Sequence, residues 1–425
     1  MDSYKKFLFI LTCVYIVLLP LIPKEIMFKG VLFTDLILAL MIFVYILIIV
    51  VSKKGRENFI NGLVNFFTDK LSIFMAILLC IMLVSTIYAV DKKLALSESA
   101  RFITYIFMFF IIKYEFNSKK QIKILLKCYI FVSFVLSCIG IVQHFTGFGL
   151  TEKFTKTSAF GTGIRIASTL FNPNAYGAYL ILIIFPLIML CIYEKNKNKK
   201  IVYIFLSILL LTNLLMTFSR NALLGFGLGV LVLGLIYSIK LIFALGGFSI
   251  LMFFIPSVFQ RVKDVTSLTQ NESRIKLWKT AIMMIKEHPV LGVGNGNFVT
   301  RYNEYIKKYK ELKYQEYQNY PGHNSYLKVQ SELGIIGIVS FLGIVTIALF
   351  RVKKLYSTTT DKFFKPFYMG VMASMVAFLF MNFLDNLFFV PKATTYFWFL
   401  LATVEALLNI HQKEIHERST IQCMS

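Results

Sequence analysis

One histidine and three arginines are the strongest candidates for chemistry in this sequence. His323 stands in the short motif PGHNSYL, directly before an apolar segment. An imidazole has an ordinary pKa of about 6.5, so it can accept a proton from a hydroxyl group near neutral pH. At the border of a membrane, it could act as a general base on a lipid-linked substrate. An interfacial histidine with a structural hydrogen bond is the simpler alternative.

The three arginines suit the binding of a diphosphate. Arg165, Arg220 and Arg274 lie in GIRIASTLFNPNAYG, FSRNALLG and SRIKLW, respectively. Guanidinium groups stay charged and bind phosphate oxygens through paired hydrogen bonds. Arg220 stands between two adjoining apolar segments, where an ionisable residue is costly and indicates function by default. Each also has a simpler interpretation: snorkelling for Arg220, a solvated face for Arg274 and an ordinary loop for Arg165.

Two further residues support this set. Asp385 in MNFLDNLFFVP is an ionisable candidate partner for an arginine, and Asn324 directly follows the candidate histidine. The segments expected beside them contain no DxD pair and no Cys/His cluster with metal-ligand spacing. We therefore expect neither metal nor cofactor, with arginines supplying the electrostatic stabilisation.

The elements that must position these residues are membrane helices. The chain has 425 residues, of which 57% are hydrophobic and only 16% charged. The apolar residues form blocks of about twenty, which is long enough to cross a hydrocarbon core about 30 Å thick. The blocks do not alternate apolar and polar residues as barrel strands must. The sequence therefore predicts an all-α, polytopic transmembrane bundle that begins with an uncleaved first helix.

We predict twelve spans and one long polar loop. The predicted spans cover residues 7–23, 31–51, 71–90, 99–113, 122–144, 174–193, 201–218, 221–239, 241–256, 324–350, 366–389 and 393–410. This divides the chain into residues 1–256 with nine spans, the loop 257–323, and residues 324–425 with three spans and a short tail.

Charge in the connecting segments predicts the orientation. One set of connectors reads SKKGRE, KYEFNSKKQIK, EKNKNKK and RVKKLYSTTTDKFFK, and it is much richer in Lys and Arg than the opposite set. Such segments stay in the cytoplasm, so both termini should be cytoplasmic and the long loop extracytoplasmic. Arg165, Arg220, Arg274 and His323 then all lie on the outer side of the cytoplasmic membrane. The same rule explains the net charge of +23 without nucleic acid as a partner.

The long loop has predicted internal order. Apolar residues at helical spacing in SRIKLWKTAIMMIKEHP predict an amphipathic helix that starts at Asn271 or Ser273 and ends at Pro289. GVGNGN follows as a turn of residues that tolerate positive φ. A second polar helix is predicted from about Val299 to Tyr317.

The combination of these motifs resembles the O-antigen ligase and polymerase superfamily. The family outline is an Arg with Trp four residues later, a Pro-apolar-Leu-Gly-x-Gly turn, a His-Asn-x-Tyr-Leu motif and then Glu-x-Gly. Here these correspond to Arg274 and Trp278, then to 289–294, 323–327 and 332–337. Where the family often has His-x-His-Asn, this chain has Pro321-Gly322-His323-Asn324.

The resemblance implies a polytopic GT-C-like glycosyltransferase. It would move a glycan from an undecaprenyl diphosphate carrier to an acceptor on a glycan, a lipid or the cell wall, at the outer face of the membrane. By position, His323 matches the family's base and Arg220 and Arg274 match its arginines, with Arg165 a weaker match. In-line attack would invert the linkage. Ligase and polymerase differ in the acceptor, and the sequence leaves both open.

Two other function classes stay open on the sequence. A flippase for lipid-linked sugars should place polar or broken segments near the middle of several spans. A non-catalytic membrane assembly protein would use the long loop as a docking surface. The concentration of polar residues in one loop favours an enzyme.

Overall fold

A computed structural model describes residues 3–23, 27–28, 31–151, 154, 164–170, 172–243, 268–314, 318 and 320–424. These residues are almost entirely helical, which confirms the predicted polytopic helical bundle. Within this part of the chain, ten helices are long and apolar enough to cross a membrane, and Arg220–Ile236 is a shorter apolar helix. Most of the predicted ninth span, 241–256, lies outside the described residues.

The described helices are numbered here in chain order. They are α1 Ser3–Leu21, α2 Phe33–Val51, α3 Lys53–Thr68, α4 Lys70–Tyr88, α5 Lys92–Glu115, α6 Lys119–Thr146, α7 Pro173–Tyr193, α8 Lys197–Met216, α9 Arg220–Ile236, α10 Leu268–Glu287, α11 Phe298–Lys308, α12 Ser325–Thr358, α13 Phe364–Met381 and α14 Pro391–Met424. A minimal antiparallel pair, Met27–Phe28 with Val31–Leu32, joins α1 to α2. Short 3-10 turns occur at Ser168–Leu170, Lys310–Leu312 and Leu387–Phe389.

Several helix boundaries differ from the prediction: α13 ends at Met381 rather than 389, and α14 continues to Met424 rather than 410. The fourth span starts at Lys92 rather than near residue 99, because the Asp91 side chain caps it by accepting from the Leu94 N–H at 2.9 Å. Helix α10 begins at Leu268, before either predicted cap. Helix α11 stops at Lys308, well before Tyr317, where Tyr309 turns back to donate its hydroxyl to Glu287 at 2.7 Å.

Three helices form the centre of the bundle. In the most apolar stretches of α7, α13 and α14, the share of residues that are buried inside the protein is 89%, 83% and 94%, respectively. Helices α7 and α13 approach closely at Gly370, where a Cβ atom would lie 2.4 Å from the Phe185 carbonyl oxygen. Because any larger residue would separate the two backbones, this glycine allows the close packing of α7 against α13.

The bundle has two chemically different ends. Interhelix contacts between Asn174 and Asp385 and between Asp91 and Asn297 define the histidine end, where α7, α12 and α14 start. Contacts such as Lys119 with Glu414 define the lysine-rich end, where the basic connectors meet. All four residues predicted for the outer side fall at or next to the histidine end.

The glycine turn 292–297 fastens the polar loop to the bundle. Backbone N–H groups of Val293 and Gly294 donate to the carbonyl oxygens of Ser331 and Glu332, both at 2.9 Å. Helix α12 breaks its helical conformation at Gly334, where φ is +62° and a Cβ atom would lie 2.0 Å from a loop carbonyl. Only glycine fits there, so the break in α12 allows the loop backbone to pack directly against this helix.

The buried Glu332 carboxylate completes this attachment. It accepts hydrogen bonds from the backbone N–H groups of Gly296 and Phe298, at 2.9 and 3.0 Å, and it pairs with Lys328. On the other side of the turn, Asn295 donates to the Ala95 carbonyl at 3.2 Å. The Glu-x-Gly and glycine-turn motifs therefore hold the loop in place.

Candidate active site

His323 is held in a strained backbone conformation at the start of α12. Its φ is +47°, a left-handed conformation that is uncommon for residues other than glycine and often occurs at functional sites. Asn324 caps the helix, because its side-chain oxygen accepts from the N–H groups of Tyr326 and Leu327, each at 3.0 Å. The Trp278 indole N–H donates to the His323 carbonyl at 3.2 Å. These contacts fix the direction of the imidazole.

The imidazole is hydrogen-bonded to Asp385. Its Nδ1 lies 2.9 Å from Oδ1 of this carboxylate, and the two side chains are 24% and 13% exposed. The same Oδ1 accepts from the Asn386 backbone N–H at 2.8 Å, and Oδ2 accepts from the Asn174 side chain at 2.9 Å. The carboxylate is thus fixed from three sides.

The surroundings keep Asp385 ionised. Burial by itself would raise the pKa of this carboxyl, but the hydrogen bond and the charge of His323 outweigh it, with further help from Asn386 and from the charge of Arg274. The pKa therefore lies below its usual value. Because an ionised carboxylate only accepts hydrogen bonds, Nδ1 of His323 must be the donor. When the imidazole is neutral, a proton on Nδ1 leaves the lone pair on the other ring nitrogen, Nε2, where a general base needs it.

A chain of side chains connects this pair to Ser219, the residue directly before Arg220. Asn174, at the start of α7, accepts a hydrogen bond from the Ser219 hydroxyl at 2.9 Å. Ser219 also caps α9 by accepting from the Ala222 N–H at 3.3 Å. Arg220 directly follows this cap as the first residue of α9, and its side chain is half-buried. The hydrogen-bonded chain that starts at the pair therefore extends to Ser219, the residue directly before Arg220.

Arg274 also reaches this region. It lies one helical turn before Trp278 on α10, and its charge contributes to the lowered pKa of Asp385. Its side chain is half-buried. The charge of Arg274 on α10 thus acts on Asp385, while Arg220 starts α9 directly after the hydrogen-bonded Ser219.

Arg165 connects two segments beside the site. Its Nε donates to the Thr217 carbonyl at 3.1 Å, and its guanidinium lies 5.8 Å from the Phe154 ring centre. The next residue, Ile166, donates its N–H to the Met216 carbonyl at 3.2 Å. Arg165 therefore contacts the residue that directly follows α8, three residues before Arg220.

The start of α12 is tied to the end of α13, and this fixes the spacing of His323 and Asp385. Ser325 donates its hydroxyl to the Asn382 side-chain oxygen at 2.6 Å and its N–H to the Asn382 carbonyl at 2.9 Å. Asn382 also accepts from the Phe388 N–H at 2.9 Å. Since His323 and Asp385 lie two and three residues from these contacts, their separation follows from this junction.

Metal binding has no support in the described part of the chain. No group of three or more His, Cys, Asp or Glu side chains there is arranged to hold an ion. The polar groups around Asp385 are instead an amide, a backbone N–H and an imidazole, which together satisfy the carboxylate as an anion.

Comparison with known proteins gives two matches. Residues 205–342 match the family described as O-antigen ligase. The chain is also 23% identical over 352 residues to the teichuronic acid biosynthesis protein TuaE of Bacillus subtilis, and the match covers 77% of this chain and 69% of the relative. The predicted resemblance to the O-antigen ligase and polymerase superfamily is confirmed.

The O-antigen ligase match contains only part of the assembled site. It includes Arg220, Arg274 and His323, whereas Arg165 and Asp385 lie outside its limits. The geometry thus adds Asp385, which the sequence singled out only as a possible partner for an arginine. In the structure its hydrogen-bonded partner is the histidine.

Sequence reasoning missed two members of this assembly, and it identified Trp278 only as part of the family motif with Arg274. Asn174 and Ser219 were parts of motifs quoted for their neighbours. An amide at a helix start and a serine before an arginine also have ordinary capping roles, and both do cap or adjoin caps here. Their second contacts cross between helices, and nothing in sequence spacing indicates such contacts.

Proposed function

We propose that this membrane protein is a glycosyltransferase of polysaccharide assembly. It transfers a glycan from an undecaprenyl diphosphate carrier to an acceptor hydroxyl at the outer face of the cytoplasmic membrane. The observation that carries the proposal is the 2.9 Å contact between His323 Nδ1 and Asp385, which leaves Nε2 as a base. The O-antigen ligase match over residues 205–342 supports the reaction class.

His323 acts first on the acceptor. Its Nε2 removes the proton as the acceptor oxygen attacks the anomeric carbon, and Asp385 stabilises the imidazolium that forms. The carboxylate can do so because it stays ionised, and the hydrogen bond from Asn174 keeps it in place. In-line attack inverts the configuration, so an α-linked donor gives a β-linked product.

Arg220 and Arg274 act on the leaving group. As the anomeric bond breaks, negative charge grows on the carrier diphosphate, and guanidinium groups stabilise it through paired hydrogen bonds. Because these interactions are stronger in the transition state than in the ground state, they lower the barrier to transfer. In this proposal the arginines do this without a metal ion.

The product is a cell-envelope polysaccharide. The relative in Bacillus subtilis is named for teichuronic acid biosynthesis, and at 23% identity this supports the general process. A polymerase would use a carrier-linked repeat as the acceptor, and a ligase would use a different molecule. Incubation with one labelled donor and no other acceptor separates them, because only a polymerase then makes longer chains.

Transport of a lipid-linked sugar is the second candidate. The break in α12 at Gly334 favours it, since broken spans are typical of transporters. However, the loop fills this break, because Ile335 donates its N–H to the Pro289 carbonyl at 3.0 Å. Flipping of a fluorescent carrier lipid by the wild type and by His323→Ala alike would favour transport.

The decisive experiment measures transfer in proteoliposomes with a lipid-linked glycan donor. His323→Ala should lower the transfer rate by about 10²- to 10⁴-fold, because it removes the general base. His288→Ala is the matched control: this exposed histidine precedes the glycine turn and should be dispensable. Near-normal transfer by His323→Ala, or an equal loss in both variants, would reject His323 as the base.

A further inference from the structure

Three of the four basic connectors identified in the sequence meet around one cavity at the lysine-rich end. The cavity has a volume of about 690 Å³. Its lysines come from the start of α6, the start of α8 and the α12–α13 connection, and they are Lys123, Lys127, Lys199 and Lys362. The start of α7 lies at the histidine end, so the 21 residues of this helix put about 30 Å between the cavity and His323.

The cavity has an excess of positive charge. Its two carboxylates already accept hydrogen bonds from backbone N–H groups: Asp361 from Phe363 at 2.7 Å and Glu194 from Asn196 at 3.0 Å. Within the described residues, none of the four lysines lies within 4 Å of a carboxylate. Four ammonium groups against two engaged carboxylates make this an anion-binding environment.

Apolar surface leads away from the cavity on two helices. On α8, Ile201, Phe205 and Ile208 are 64%, 56% and 59% exposed and lie on one face at helical spacing. On α6, Ile124 and Phe131 are exposed on the same face as Lys127. In a spanning bundle such stripes face lipid chains, so the cavity opens where headgroups meet the hydrocarbon.

We propose that this cavity binds the phosphate headgroup of an anionic phospholipid. The lysines contact the phosphate, and the acyl chains lie along the exposed stripes of α6 and α8. Basic pockets between spanning helices recognise anionic lipid headgroups in this way. Lys123 is already positioned by the Phe363 ring, whose centre lies 4.9 Å from its Nζ. The proposal is independent of the transfer reaction.

The test counts bound lipid by native mass spectrometry on the purified full-length chain in a neutral detergent. The wild type should bind dioleoyl phosphatidylglycerol in preference to dioleoyl phosphatidylcholine. Lys127→Gln with Lys199→Gln should weaken binding of phosphatidylglycerol by about tenfold or more, because each lysine contributes severalfold near a headgroup. Both side chains are exposed, so the fold should persist, which a thermal melt verifies.

Lys353→Gln with Lys354→Gln is the control pair. These exposed lysines lie near the same end on α12, outside the cavity, and carry the same charge change. Equal loss in both pairs, or equal binding of the two lipids, would overturn the proposal. Release of phosphatidylglycerol by millimolar inorganic phosphate would also overturn it and would assign the cavity to a soluble phosphate compound. His323→Ala should bind the lipid normally, which separates this site from catalysis.

Discussion

Each end of the bundle holds a carboxylate against a basic side chain, but the two pairs differ in burial and in the type of basic group. At the lysine-rich end, Lys113 lies 3.3 Å from Asp69 and 3.1 Å from Glu405, and Arg351 contacts both carboxylates. Lys113 and Glu405 are 1% and 2% exposed. At the histidine end, the partner of Asp385 is an imidazole that is 24% exposed.

This difference distinguishes a structural charge cluster from a reactive one. The two positive and two negative side chains of this cluster neutralise each other, so none of these four charges is left for a substrate. At the histidine end the partner of the carboxylate is a partly exposed imidazole, and its second nitrogen has no hydrogen-bond partner among the described residues. Charge alone therefore does not identify a candidate active site. The distinguishing feature here is a fixed carboxylate beside a partly exposed base.

Removing Lys113 should have the largest effect on stability. Lys113→Met leaves two buried carboxylates with one cation, and breaking such a pair costs about 3–5 kcal/mol. We expect the free energy of unfolding in mixed micelles to fall by about this amount. The folded fraction should keep its transfer rate per molecule, since the cluster lies at the other end of the bundle.

A double variant tests the electrostatic cause. Lys113→Met with Glu405→Gln removes one charge of each sign, leaves Asp69 with Arg351, and should recover much of the lost stability. Lys353→Met, at an exposed position on α12, should change stability little. If the double variant is no more stable than the single one, packing rather than charge is responsible.

Neutralising Asp385 should affect transfer more than folding. Asp385→Asn keeps the shape of the side chain but no longer stabilises the imidazolium, so we expect kcat to fall by about 10²-fold. Asp91→Asn is the control, because this residue caps α5 at the same end and asparagine caps equally well. Unchanged kcat in Asp385→Asn would remove the carboxylate from the mechanism.

The Asp385 carboxyl should make the folded protein less stable at acidic pH. The pKa of Asp385 is lowered in the folded protein, so its contribution to stability is present above the unfolded value of about 3.9 and is lost as pH falls through the folded value. The stability difference between wild type and Asp385→Asn should therefore shrink below about pH 3.9. A difference that is constant over that range would contradict an ionised Asp385.

The sequence predicted the helical bundle because hydropathy acts over whole segments. Eleven of the twelve predicted spans coincide with described helices, and the glycine turn lies where GVGNGN placed it. The boundaries at Lys92, Leu268 and Lys308 were less predictable. Those at Lys92 and Lys308 depend on a cap or on a side chain from another helix, such as Glu287, and such contacts form only after folding.

The sequence predicted which residues belong to the candidate site, but it did not predict which of them contact each other. His323, Arg220 and Arg274 were identified because a polar residue beside an apolar segment is conspicuous. The contact between His323 and Asp385 joins residues 62 positions apart, and the one between Asn174 and Asp385 joins residues 211 apart. Only the packing of α7, α12 and α13 brings these groups together.

Trp278 provides the finest test of how the histidine end is built. Its indole N–H holds the His323 carbonyl at 3.2 Å, so Trp278→Phe keeps the ring but removes one hydrogen bond. Such a bond contributes about 0.5–1.5 kcal/mol, which predicts a three- to tenfold lower kcat with an unchanged KM. Trp398→Phe, the other tryptophan of the chain, is buried among Phe102 and Tyr105 and should leave kcat unaltered. A change in KM alone for Trp278→Phe would instead assign Trp278 to substrate binding, and the strained backbone of His323 would then hold its direction without this contact.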